Sequence, residues 1–98
     1  MKAYAVRHKP SGLFIPRLKT GSRRGGSHLE PSSDREPRLF FNKISARSFL
    51  SNWLQGKFKN STFYTEDGFE PYLEIIPQPH RKKGEMEIVE FNLVECIV

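Results

Sequence analysis

Apolar residues are spaced along this chain in two different ways. From Ala46 they recur at the helical interval, as Ala46, Phe49, Leu50, Trp53 and Leu54, which lays one apolar stripe along a helix. Asn42 ahead of the stripe offers an N-cap oxygen and Gly56 behind it suits a left-handed helix end, so the pattern predicts a helix over 43–55. Its other face, with Lys43, Arg47, Ser48, Ser51 and Asn52, is polar and slightly basic. Trp53 lies on the stripe and reads as the core anchor.

Elsewhere the period is two. Residues 2–7 alternate, and Lys9-Pro10-Ser11-Gly12 follows, in which proline presets φ and glycine tolerates a positive one; Leu13-Phe14-Ile15 then completes a β-hairpin that Pro16 closes. Residues 38–41 form a short apolar run ahead of the helix and read as a strand. Residues 57–64 and 70–76 are two further strands around the turn Thr65-Glu66-Asp67-Gly68, and residues 86–95 form a long one that alternates from Ile88. The order β-hairpin, loop, β, α, β, β predicts a small α+β domain: an antiparallel or mixed β-sheet with one amphipathic helix packed on one face. There is no internal repeat.

Two segments carry no period. Residues 18–37 hold Gly21, Gly25, Gly26, four serines and two prolines, a long Gly/Ser/Arg-rich loop of a length that is uncommon unless functional or disordered. It reads either as a mobile solvated loop or as a cradle in which backbone N–H groups and the Arg23-Arg24 guanidinium forks meet phosphate, although it matches neither the P-loop nor the dinucleotide fingerprint. Residues 77–84 read as an exposed linker with a small basic run, His80-Arg81-Lys82-Lys83.

Length and composition narrow the class. Ninety-eight residues make one domain, 1–98, and an apolar content of 37% gives it a thin core. No apolar run approaches the ~18 residues of a membrane span, so no membrane partner is expected. The opening residues meet charge again at Arg7, too soon for a secretory signal. The single Cys96 excludes an intramolecular disulfide; with a thin core, this points to a reducing, cytoplasmic setting in which Cys96 is a small buried thiol.

The net charge of +5 conceals an asymmetry. Residues 1–64 carry 13 basic and 3 acidic side chains, whereas residues 65–98 carry 3 and 8. The positive field of the first part would draw an anionic ligand, nucleic acid or a phosphorylated nucleotide, with Arg7, Lys9, Arg17, Lys19, Arg23 and Arg24 on phosphate. Residues 57–64 interleave aromatic rings with Lys57 and Lys59. Either Phe58, Phe63 and Tyr64 stack on bases, or the segment is an ordinary strand with one buried face. The competing account of the charge is internal pairing of the basic hairpin with Glu85, Glu87, Glu90 and Glu95.

Catalytic chemistry is not expected, nor is a cofactor. His8, His28 and His80 are far apart in sequence and a metal site would need them clustered. The serines lack a nucleophile-elbow context, and Glu66, Asp67 and Glu70 lie at or just after a turn, where acids are common for conformational reasons. His8, between Arg7 and Lys9, reads as basic surface.

The run Tyr4-Ala5-Val6-Arg7-His8-Lys9-Pro10-Ser11-Gly12, then Pro37-Arg38-Leu39-Phe40, Ala46, Trp53-Leu54-Gln55-Gly56 and Met86-Glu87-Ile88-Val89-Glu90, resembles a family of small uncharacterised proteins from tailed bacteriophages and prophages. The resemblance implies a viral accessory protein in a bacterial host cytoplasm, active in host takeover or defence evasion, and carries no catalytic signature. It leaves 18–37 and 57–84 open. Beside anion binding stands a second role, a protein-interaction module that inhibits or redirects a host protein through a sheet edge or aromatic surface; a homo-oligomer is compatible with either.

Overall fold

The computed structural model describes residues 1–19 and 25–95. Its elements are β1 (Lys2–His8), α1 (Lys43–Gln55), β2 (Lys57–Thr65), β3 (Gly68–Ile76), a short 3-10 turn at Lys83–Glu85, and β4 (Met86–Asn92). All strand pairing is antiparallel and falls into two small sheets, β1 with β4 and β2 with β3. The small α+β class therefore holds, with the strands divided between a packed body and a projecting hairpin.

In the body β1 is central. One edge pairs with β4 from Lys2 opposite Asn92 to His8 opposite Met86. The other edge is shared by two short pieces: Phe40 exchanges both backbone hydrogen bonds with Tyr4 (2.7 and 2.8 Å), and Leu13 to Ile15 pairs with Val6 to His8. The Pro10-Ser11-Gly12 turn forms as predicted, with Gly12 at φ +72 and its N–H donating to the His8 carbonyl at 2.8 Å. The strand expected at 38–41 shrinks to isolated bridges. Pro16 faces Pro37 there, and two residues without N–H groups cannot sustain a ladder.

Alternation along β1 decides where the core sits. Val6 shares its face with Ile88 and Met86 and clusters with Ile15, Leu29, Phe49 and Trp53, with Phe40, Leu50, Leu54 and Leu18 packed around them. Helix α1 supplies Ala46, Phe49 and Trp53 from the predicted stripe. Its first turn is closed by Asn42, whose Oδ1 accepts from the Ile44 N–H at 2.7 Å. On the opposite face of the sheet Ala5 is fully buried, and the Phe14 and Phe91 rings lie 5.9 Å apart.

Within the 18–37 loop, residues 26–32 are packed rather than solvated. Leu29 is buried in the core, and its carbonyl accepts the Trp53 indole N–H at 2.7 Å. Gly26 sits at φ +94, a conformation that favours glycine, close against the Arg38 guanidinium. Arg38 lies 4.9 Å from the centroids of both Phe40 and Phe49 and donates to the Gly25 carbonyl at 2.8 Å. Burial lowers its pKa from the ordinary value.

Beyond the body projects the β2–β3 hairpin. Two nine-residue strands at ~3.3 Å per residue make an arm about 30 Å long. The molecule measures 61 × 32 × 25 Å, and its radius of gyration of 16.4 Å exceeds the ~13 Å of a compact domain this size. At the root, Gly56 ends the helix at φ +136; a Cβ there would stand 2.2 Å from the Ile76 carbonyl oxygen.

Candidate functional site: a basic cavity at the root of the arm

Where the turn after β1, the loop at 30–31, the end of α1, the start of β2 and the segment 80–82 converge, a cavity of about 560 Å³ opens. Its floor is set by Arg81, read from sequence as part of an exposed linker. The side chain is instead completely buried. Its guanidinium stacks 4.2 Å from the centroid of the Trp53 ring and donates to the Trp53 carbonyl (2.9 Å), the Leu29 carbonyl (3.4 Å) and the Glu30 carboxylate (2.8 and 3.2 Å). A buried charge is tolerated only when paired and hydrogen-bonded, and this one is both. The His80 ring also reaches Glu30 Oε1, at 3.1 Å, so that carboxylate is neutralised within the protein.

On the opposite wall, His8 Nδ1 lies 2.7 Å from Ser11 Oγ and Nε2 lies 3.3 Å from Glu85 Oε2. A carboxylate on Nε2 favours the tautomer with its proton there, leaving Nδ1 to accept the serine hydroxyl. Ser11 Oγ also accepts the Leu13 N–H at 3.2 Å. These bonds tie the hairpin turn to the segment before β4.

The remaining charge in the cavity belongs to Lys57 and Lys82. Neither ammonium has an ion-pair partner among the described residues. With Arg81 and Glu30 compensating each other, these two lysines outnumber the one carboxylate at the wall, Glu85 on His8, against apolar surfaces from Leu13, Trp53 and Met86. Among the described residues no three His, Cys, Asp or Glu side chains gather as metal ligands.

No protein-family model, characterised protein or solved structure matches this chain. The site's chemistry therefore rests on its own geometry, and on where that geometry puts the residues singled out from sequence.

Those residues do not form one surface. Arg7 pairs with Glu87 directly opposite on β4 (2.5 and 2.6 Å) and sits over the Phe14 ring, while Arg17 pairs with Glu36. That hydrogen bond and charge hold the Glu36 carboxyl below its ordinary pKa. With Lys2 on Glu90 at 3.5 Å, internal pairing accounts for part of the basic segment. Lys9 and Lys19 are exposed and have no such partner among the described residues; Arg23, Arg24 and Cys96 lie outside the described residues.

Phe58, Phe63 and Tyr64 are separated by the strand itself. Register puts Phe58 and Tyr64 on one face of the arm with Ile75, Leu73, Pro71 and Phe69, and Phe63 on the other with Tyr72. The expectation that this strand has one buried face fails: Tyr64 is 84% exposed, Phe69 67% and Leu73 57%. Sequence reading missed Lys57 and Lys82 as a pair and His8 and His80 as walls of one cavity. Its only hint was the basic run at 80–83, and a run of charge does not disclose which member turns inward.

Among the described residues, no helix is long and apolar enough to cross a membrane.

Proposed function

We propose that this chain is a non-enzymatic binding protein that takes the phosphate of a nucleotide or of a nucleic-acid end in the cavity between His8, Lys57, His80 and Lys82. One observation carries the reading: two lysines that have no carboxylate partner among the described residues line a cavity in which Arg81 and Glu30 compensate each other. Ammonium groups bind phosphate as point charges, and the Trp53 and Met86 walls offer an apolar surface to a base or sugar. The pairing of Arg7 and Arg17 with carboxylates leaves those two guanidinium groups less available to an anion than the lysines of this cavity. A phage-type accessory role in a host cytoplasm is compatible with it.

Titration with inorganic phosphate, mononucleotides and short single strands, followed by NMR shifts of His8, Lys57 and Lys82, tests the proposal. Binding should weaken as salt rises, and Lys57→Gln with Lys82→Gln should reduce affinity by about tenfold or more. Absence of any shift at low salt would reject it. The second role, inhibition or redirection of a host protein, is favoured by the exposed rings of the arm. A stoichiometric partner retained from nuclease-treated bacterial lysate and lost on Tyr64→Ser would support it.

A further inference from the structure

The apolar face of the arm has an exposed tip and an open root. At the tip the exposed Tyr64 and Phe69 rings lie edge to face with centroids 6.3 Å apart. At the root of the same face, Phe58 and Leu73 meet Phe49, Asn52 and Trp53 of α1 around a second cavity of about 350 Å³. We propose that two copies of this chain pack arm on arm, antiparallel and apolar face to apolar face, so that Tyr64 and Phe69 of each enter the root cavity of the other.

Two observations select a second copy as the occupant. Tip and cavity lie on one face of one hairpin, so a single two-fold axis across the arm satisfies both contacts together and closes the assembly at two. Tyr64, Phe69, Leu73 and Ile75 expose roughly 500 Å² of side chain per arm, so a pair removes the ~1,000 Å² a specific interface needs. Isolated two-stranded hairpins are marginal in water, which gives the arm reason to be covered. The root cavity shares Trp53 with the anion cavity but not its lysines: Lys57 lies on the opposite face of β2 from Phe58.

The test uses the full chain without added anion. In a Cys96→Ser background, Asn52→Cys and Tyr64→Cys are made separately and mixed in a glutathione redox buffer. A chain's own tip stands about 20 Å from its root, beyond the ~7 Å between Cα atoms that a disulfide spans, so only a partner's tip can reach Asn52. A cross-linked heterodimer in excess of either homodimer is expected. Sedimentation should show a dimer at about 100 μM, and Tyr64→Ser with Phe69→Ser should weaken dimerisation at least tenfold with unchanged circular dichroism. A monomer at that concentration overturns the proposal, as does a dimer indifferent to the double substitution or without the cross-link. So does a monomer whose tip binds a different protein.

Discussion

Trp53 and Tyr64 are both large aromatic residues on neighbouring elements, and they occupy opposite environments. Trp53 is 2% exposed, with its indole N–H bonded to Leu29 and a guanidinium on its face; Tyr64 is 84% exposed and touches one other ring. The first belongs to a body where each core group is contacted from several parts of the chain. The second belongs to an arm whose contacts are almost all between its own two strands. A body of this kind draws its stability from non-local burial, whereas the arm inherits stability from its root and offers its surface to something else.

The sharpest way to break this contrast is Trp53→Ala. It removes the ring that α1, the 25–31 loop and Arg81 share, and the body should lose about 3–5 kcal/mol, measured by urea unfolding. A loss below ~1 kcal/mol would mean that the body is not organised around this residue. Next comes the joint. Gly56→Ala puts a side chain against the Ile76 carbonyl at a positive φ and should cost roughly 2–4 kcal/mol by the same measurement, because it disturbs helix end and arm root together.

At the tip the effect should nearly vanish. Tyr64→Ser with Phe69→Ser, unfolded at a concentration low enough to keep chains apart, should change stability by no more than about 0.5 kcal/mol, since little surface is removed from water there within one chain. The smallest effect concerns the exposed pair of the body. The Glu36 carboxyl titrates below its ordinary value because Arg17 donates a hydrogen bond to it, so its stabilising contribution is present above the ordinary carboxylate pKa and fades as pH falls through the lowered one. Arg17→Ala should move that titration upward toward the ordinary value, as read by carbon-detected NMR of the Glu36 side chain.

Much of the fold was legible in the chain. The helix begins and ends where Asn42 and Gly56 predict, because caps and the apolar repeat act within one turn of the residues that specify them. The turns at Gly12 and Gly68 likewise follow from residues that accept positive φ. The candidate site was far less legible. His8 and His80 are 72 positions apart, and Lys57 reaches the cavity only because α1 and the arm meet at Gly56.

By itself, then, the sequence determined one amphipathic helix, its caps, the turns and the alternation of its strands. Tertiary structure alone decided which alternating strands are covered, that Arg81 turns inward from a basic run, and that Lys57 and Lys82 line one cavity. The division is physical. Backbone preference is set by near neighbours along the chain, whereas burial and charge compensation depend on groups that only folding brings within a few ångströms.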